Sequence, residues 1–392
     1  MSKPPPSKSD DSVISSKTAP STAVPSAPSS GAGPKTSPLT PSTIGKRPNV
    51  WRRRIRSLCH RSAWRLYQQR LAHSQRPILV GPFTSEVGFE ALYWLPWLAA
   101  LRQTLDLAPE RLIPLTRGGA ACWYDLPVGL EVYAMRSIDQ VRVHTRRHLR
   151  RRGTSKQYDI TPFDRALYAD AAKTLQLDRY LTLHPSWMYR ELAPFWEGDR
   201  GLSWIQQYLT ITRMNVPPLP DGLQLPKTFV AVRFYARSTW PAERDTAIFA
   251  KGVIDQLRRT VPVILLNPQY HADDHVDFAP TQPMENVVLL SDLYPAMTPD
   301  TGLAVQSAVI ARALGFVGTY GGLAHLALRF ERPVFSFYKD WTGVAWAHLH
   351  LCYALAQEMN IPHQVLRLGE LPILQQVLPN LFMHKSPSSV VG

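Results

Sequence analysis

Three segments of the chain combine residue types and spacings suited to holding an oxyanion or moving a proton. The first is Phe316-Val317-Gly318-Thr319-Tyr320-Gly321-Gly322-Leu323-Ala324-His325. There an apolar run enters a glycine turn and then a helix, whose first backbone N–H groups attract anions. Thr319, Tyr320, Gly321, Gly322 and Leu323 are the candidate contacts, and His325 is a hydrogen-bonding candidate for the same ligand. The plainer alternatives are a turn that needs glycine for its backbone angles and a histidine that packs a helix. The second segment is Val232-Arg233-Phe234-Tyr235-Ala236-Arg237-Ser238-Thr239-Trp240-Pro241. Its Arg233 and Arg237 follow a strand, and guanidinium forks match paired oxyanions; surface ion pairing is the alternative. The third is Gly81-Pro82-Phe83-Thr84-Ser85-Glu86-Val87-Gly88-Phe89-Glu90. Glu86 sits in a loop and Glu90 near a helix start, so each is a candidate general base. Acids at a helix N-terminus also serve simply to satisfy backbone donors and the macrodipole, a role that suits Glu90 better than Glu86.

These segments need a frame to hold them. In the first half, strands are predicted at Ile78–Gly81, Leu112–Leu115, Leu130–Ala134 and Tyr180–Leu183, with helices over Phe89–Leu105 and Leu202–Met214. The basic stretch Arg142–Lys156 reads as an exposed insertion. Asn215–Pro226, with Pro217, Pro218, Pro220 and Pro226, reads as a linker. In the second half, strands at Phe229–Val232, Val261–Leu266, Asn286–Leu290, Phe316–Val317 and Pro333–Phe337 alternate with helices over Asp245–Arg259, Thr301–Leu314 and Leu323–Phe330. Such alternation predicts α/β architecture with two Rossmann-like domains, ligands at the carboxyl ends of the strands, and a cleft between domains. The expected division is a disordered low-complexity tail over 1–45, a basic aromatic segment over 46–76, a first Rossmann-like domain over 77–214, a linker over 215–226 and a second Rossmann-like domain over 227–384.

Charge decides what partners this frame faces. The net charge is +14, yet residues 1–76 carry 14 Lys/Arg against Asp10 and Asp11 alone, so +12 of it lies there. The nearly neutral remainder argues against nucleic acid as a partner. Segment 46–76, with Trp51, Ile55, Leu58, Trp64 and Leu71 among arginines, is a candidate for peripheral contact with an anionic membrane; the alternative is a helix packed on the domain. No apolar run reaches the roughly 18 residues of a membrane span, and the N-terminus has no apolar leader core, so a cytoplasmic location is expected. Cys59, Cys122 and Cys352 lack zinc spacing. The run His271-Ala272-Asp273-Asp274-His275 reads as a polar loop rather than a metal cluster, and no metal or cofactor is assigned. Asn267, Gln269 and Tyr270 in the same loop are candidate ligand contacts.

Taken together, the three segments resemble the heptosyltransferase-like glycosyltransferases of glycosyltransferase family 9, which have the GT-B fold. The family's G-D-V-x-x-x-L-P-x-L motif is similar to Ser85–Glu90 followed by Leu95-Pro96-Trp97-Leu98, and its catalytic Asp would fall on Glu86. Its K-x-W-P loop is similar to Ser238-Thr239-Trp240-Pro241, where the lysine is missing and Arg237 lies one residue earlier. Its D-T-G-L-S-H-L helix start is similar to Tyr320–Leu326, where the leading Asp is lost. The resemblance covers roughly residues 78–358. It implies an inverting, metal-independent glycosyltransferase, at work in surface glycan assembly, that moves a sugar from a nucleotide-diphosphate donor to a hydroxyl of a glycan or glycolipid acceptor. It also implies final helices, from about Ala345–Asn360 onward, that brace both domains. A nucleotide-sugar epimerase of the same fold and a non-catalytic surface-binding protein are the alternatives.

Overall fold

The computed structural model of the protein describes residues 50–152, 156–268, 270, 275–280, 282–340 and 346–368, the side chains of 50–59 and 152 excepted. The expected tail over 1–45, Gln269, the run 271–274 and everything beyond 368 lie outside these residues. From Leu58 the chain forms one compact unit.

A long helix, α1 (Val50–His73), leads into strand β1 (Ile78–Val80). Then come α2 (Val87–Phe89), a π-helical turn over Glu90–Trp94, α3 (Leu95–Thr104) and β2 (Leu112–Thr116). These are followed by β3 (Leu130–Glu131), α4 (Val132–Met135), α5 (Ile138–Arg152), α6 (Pro162–Thr174), β4 (Leu181–Leu183), α7 (Ser186–Trp196) and α8 (Leu202–Ile205). The second half runs β5 (Val230–Arg233), β6 (Tyr235–Ala236), α9 (Arg244–Leu257), β7 (Val263–Leu265), β8 (Val276–Asp277), β9 (Val287–Leu289), α10 (Leu290–Leu293) and α11 (Gly302–Arg312). It ends with β10 (Phe316–Thr319), α12 (Gly322–Arg329), β11 (Val334–Tyr338), α13 (Trp346–Glu358) and β12 (His363–Arg367).

The strands form two parallel sheets, ordered β3-β2-β1-β4 and β12-β11-β10-β5-β7-β9, with β6 and β8 paired as a small antiparallel ribbon. In the first sheet Leu79 lies opposite both Ile113 and Thr182. In the second, Val317 lies between Val232 and Phe335. The central strands are mostly apolar and buried on both faces, as parallel strands covered by helices require. Fold class therefore agrees with the sequence: α/β, built on two Rossmann-like sheets. One apolar core runs through both halves, from Trp64, Trp94 and Tyr189 to Phe316, Phe330 and Cys352.

Several expected elements differ. The strand over Leu130–Ala134 stops at Glu131, because the Glu131 carboxylate accepts from Tyr133 N at 3.0 Å and caps α4. The helix over Leu202–Met214 ends within two turns. Beyond it Thr210 N donates to Pro96 O at 3.0 Å and Thr212 O accepts from Arg329, so those backbone groups are committed elsewhere. The stretch Arg142–Lys156 has no fully buried side chain among its described residues, as expected, but it is mostly helix, α5, rather than loop; Val141, just before it, is buried. Gly318 and Thr319 belong to β10 rather than to a loop. A Cβ on Gly318 would lie 2.0 Å from Arg233 O, so glycine lets β10 and β5 approach there. The expected linker over 215–226 has neither helix nor strand, and its Leu223 is buried.

The aromatic residues of α1 that are described turn inward. Trp64 is 4% exposed, stacks on Trp187 at 4.7 Å and Trp97 at 5.6 Å, and donates to Glu191 at 3.1 Å. Leu71 is buried, and Tyr67 donates to Thr182 O at 2.6 Å. The domain-packed reading holds for this part of the segment, while Arg61, Arg65 and Arg70 stay exposed.

Candidate functional site

A cleft of about 420 Å³ opens where the carboxyl ends of the two sheets meet. This is the edge at which open parallel sheets receive ligands. The chain leaving β1 brings Glu86, the chain leaving β2 brings Arg117, β5 and the residues after it bring Arg233 and Arg237, and α12 opens onto the cleft with Gly322 and Leu323.

Glu86 is exposed at the N-terminal edge of α2 and lines the cleft. Its loop is fixed from both sides. Thr84 N donates to Gln157 Oε1 at 3.0 Å, Gln157 Nε2 donates to Pro82 O at 2.9 Å, and Arg117 Nη2 donates to Ser85 O. The Glu86 charge acts on Arg237 from the second half and on Lys156. The Lys156 ammonium lies over the Phe89 and Trp196 rings, at 4.9 and 5.0 Å, and burial holds its pKa below the usual lysine range.

Glu90 is placed quite differently. It has no exposure and does not line the cleft. Arg117 Nη1 lies 3.2 Å from Oε2 and the Tyr124 hydroxyl donates to Oε1 at 2.6 Å. Burial pushes the Glu90 carboxyl above its usual range, against the opposing pull of Arg117 and Tyr124. Its surroundings are those of a structural ion pair beneath the cleft floor.

The two arginines are also unequal. Arg233 Nε lies 2.8 Å from Asp277 Oδ1, Nη2 lies 3.2 Å from Oδ2, and Nη1 lies 3.3 Å from Gln306 Oε1. Its fork is already matched by a carboxylate. Arg237 Nη1 donates to Tyr320 O at 3.4 Å, and its Nε is buried with no hydrogen-bond partner. Burial opposes its charge, but Tyr235 and Glu86 outweigh burial and hold the guanidinium above its ordinary pKa.

Around α12 the predicted segment divides. A Cβ on Gly321 would lie 2.3 Å from both Arg237 Nη1 and Tyr235 Oη, so glycine is what lets that guanidinium reach the helix start. No side chain caps α12, which leaves its first N–H groups open beside the cleft. Thr319, Tyr320 and His325 do not line the cleft. The Thr319 hydroxyl accepts from Tyr235 N at 3.0 Å and donates to Tyr235 O at 3.2 Å, pinning β10 to the chain after β5. Tyr320 is buried with Tyr338 and Leu349. His325 is buried, its two ring nitrogens have no hydrogen-bond partner, and burial followed by the charges of His348, His363 and Arg237 drives its pKa well below the usual value.

The halves meet through glycine. A Cβ on Gly88 would lie 2.5 Å from His325 Nδ1 and 3.3 Å from Gly322 Cα; one on Gly322 would lie 3.2 Å from Gly88 N. The starts of α2 and α12 therefore touch backbone to backbone. Helix α13 adds a second contact, with His348 Nδ1 2.5 Å from the Tyr93 hydroxyl and its ring edge-on to Phe89 at 4.5 Å.

Sequence reasoning missed the opposite wall. Val141, Arg142, Thr145, Arg146 and Leu149 of α5 line the cleft at helical spacing, a periodicity readable within the basic stretch. Arg117, Asp277 and Gln306 were not singled out either. Tyr270 lines the cleft, whereas Asn267 is turned away and donates to Phe278 O at 2.7 Å. Five arginines face Glu86 and Asp277 among the described lining residues, so the cleft is electropositive.

No protein-family model matches the chain, and no curated protein matches it. Solved structures do. The Escherichia coli heptosyltransferase WaaC with ADP aligns at a TM-score of 0.38 and 15% identity, over 78% of this chain and 99% of that one. A glycosyltransferase family 9 protein from Veillonella parvula aligns at 0.37 and 12%, over 78% and 90%. The dodecameric iron-containing heptosyltransferase TibC in complex with ADP-D-β-D-heptose aligns at 0.34 and 15%, over 68% and 59%. These are proteins of the kind that the three motifs resemble. Scores of this size leave the activity to be argued from the cleft.

Proposed function

We propose that the protein transfers a sugar from a nucleoside-diphosphate donor to an acceptor hydroxyl, with inversion and without a resident metal. One observation carries the reading: a cleft between two parallel sheets receives a carboxylate from one sheet and an arginine beside an open helix N-terminus from the other. The diphosphate lies on the N–H groups at Gly321, Gly322 and Leu323, where the helix dipole and Arg237 both favour negative charge. Arg233, held by Asp277, shapes the cleft wall and lends a smaller part of its field. Tyr270 flanks the base.

In the transfer step Glu86 takes the proton of the acceptor hydroxyl as its oxygen bonds the anomeric carbon. The bond from that carbon to the diphosphate oxygen breaks on the opposite side, and its electron pair leaves with the nucleoside diphosphate. The charge gathering on that leaving group is where Arg237 and the α12 amides act. Thr319, Tyr320 and His325 serve by position: they hold the strand and helix that aim those amides. Glu90 anchors Arg117, which holds the Glu86 loop.

The acceptor domain is the first half and the donor domain the second. Peripheral contact with an anionic membrane through residues 46–76 would rest on charge, since Trp64, Tyr67 and Leu71 are used inside the fold. The experiment is a panel of nucleotide sugars screened by thermal shift, followed by acceptor-dependent release of nucleoside diphosphate. Specific donors raise stability by mass action. Sugar isomerisation without acceptor would favour an epimerase, and absence of donor binding would remove the transferase reading.

A further inference from the structure

Helix α5 concentrates charge that the transfer cleft uses only in part. Its sequence holds six arginines and one acid, Asp139, whose carboxylate lies 2.9 Å from Arg142 Nη2. From residue 77 onward the sequence is nearly neutral, so this is a local excess.

Helical spacing sorts α5 into three sides. The inner side is taken: Val141 is buried, the His144 ring stacks on Phe163 at 4.3 Å, and His148 Nε2 lies 3.0 Å from Lys156 O. A second side, with Arg142, Thr145, Arg146 and Leu149, lines the cleft. The third looks outward. Val143, Arg146, Arg147 and Arg150 follow one another at i, i+3, i+4 and i+7, and all four are exposed. Arg146 stands on the edge that the outward side shares with the cleft.

Arginines alone would suit any polyanion. The aliphatic surface set among them is more selective, with Val143 44% exposed and Leu149 46%. Such side chains gain by entering the acyl boundary of a bilayer, while arginines beside them keep their charged ends among the lipid phosphates. Helix α5 has no Phe, Tyr or Trp to stack on a nucleic-acid base. We propose that the outward side of α5 is a docking surface for a bilayer containing anionic lipid. The helix, about 22 Å long, then lies in the headgroup plane. Its neighbouring side walls the cleft, so the cleft mouth opens at the lipid surface. That opening suits an acceptor carried on a lipid; only this consequence rests on the transferase reading, and the docking itself does not.

The full chain is sedimented with vesicles of phosphatidylcholine and phosphatidylglycerol, and with vesicles of phosphatidylcholine alone. Wild type should bind the anionic vesicles at least tenfold more tightly. A basic residue near an anionic surface is worth roughly a fivefold factor in affinity, so Arg147→Glu with Arg150→Glu should weaken that binding at least tenfold. Both positions are exposed and outside the cleft, so the thermal midpoint and nucleoside-diphosphate binding should not change. Val143→Ser keeps every charge and should weaken vesicle binding at least twofold. Arg61→Glu with Arg65→Glu, at exposed positions of α1, is the comparison. Loss from the α1 pair with none from the α5 pair would assign the contact to the N-terminal segment and overturn the inference. Equal binding of anionic and neutral vesicles would overturn it as well, as would a DNA duplex that binds through Arg147 and Arg150 while vesicles do not. A failed donor screen beside vesicle binding that depends on α5 would remove the transferase reading and leave the docking surface standing.

Discussion

Replacing Glu86 and Glu90 separately by glutamine tests the proton-transfer reasoning, because the two carboxylates differ in everything except their chemistry. Glu86 is exposed in a loop held by its neighbours' backbone bonds, so Glu86→Gln should change stability by no more than about 0.5 kcal/mol. Its loss should appear in rate: a positioned base contributes about 10²–10⁴-fold, so turnover should fall at least a hundredfold with donor affinity unchanged. Glu90→Gln does the reverse. The change leaves the Arg117 guanidinium, itself 7% exposed, without its carboxylate, and breaking such a pair costs roughly 3–5 kcal/mol. Glutamine keeps one acceptor oxygen for Tyr124, which puts the expected loss near the lower end of that range. The assay pairs urea denaturation with acceptor-dependent release of nucleoside diphosphate, under conditions where both variants are folded. Near-normal turnover in Glu86→Gln beside a folded, inactive Glu90→Gln would refute the assignment and move the proton to the buried carboxylate.

Arg237→Ala should weaken nucleoside-diphosphate binding by about 1.5–3 kcal/mol by calorimetry, as expected for a lost charged hydrogen bond. Arg233→Ala should instead lower stability by stranding Asp277, with a smaller effect on affinity; equal affinity losses from both would contradict the division between them. Acid should destabilise the fold through two histidines, half-buried His348 with a pKa of about 3 and buried His363 with one of about 4, both lowered chiefly by burial. Both values lie below that of the unfolded chain, 6.5, so the unfolded state takes up the protons first. The contribution is fully present above pH 6.5 and is lost as pH falls toward 3, by about 2 kcal/mol for each histidine at pH 5. Denaturation midpoints that stay flat between pH 7 and 5 would count against this. Trp64→Ala should cost about 3–5 kcal/mol, since it removes a buried ring from a stack with Trp97 and Trp187; a negligible loss would return Trp64 to the membrane.

The alternation of apolar runs with amphipathic stretches was legible because parallel strands must be apolar and bounded by turns. Both sheets and most of their strands follow from it, but the order of strands within each sheet does not. Gly318, Gly321 and Gly322 were legible as points of close approach, and the groups that approach them are Arg233 O, the Arg237 guanidinium and Gly88. What stayed hidden depends on partners distant in sequence. Nothing near Glu90 announces Arg117 and Tyr124, which bury it, and nothing near Arg233 announces Asp277, 44 residues away. The end of the helix at Ile205 is likewise decided by Pro96 and Arg329 rather than by local propensity. The basic stretch in α5 is exposed as expected, but its helical face went unread because its charge outweighed its periodicity. Val141, Thr145 and Leu149 are spaced for one helical face, and that face forms the cleft wall.

On the proposed mechanism, the geometry joining base to donor rests on the smallest residues in the site. Glu86 belongs to the first sheet and Arg237 to the second, so any play between the sheets changes their separation directly. Gly88 and Gly322 remove that play by letting the starts of α2 and α12 touch, with no side chain between them. Gly88→Ala would set a Cβ 2.5 Å from His325 Nδ1, a buried ring that packs edge-on against Tyr320 at 5.3 Å. Relief would have to come from separating the two helices, at a cost of about 1–3 kcal/mol. On the proposed mechanism the acceptor oxygen and the anomeric carbon must approach to about 3–3.5 Å, so a shift of that kind falls on turnover more heavily than on donor affinity. Gly321→Ala acts one residue away with the opposite signature. Its Cβ would displace Arg237 from the helix start while leaving the contact between α2 and α12 intact, so diphosphate affinity should fall first. If both alanines reduced affinity and turnover in the same proportion, the glycines would be doing no more than packing the joint.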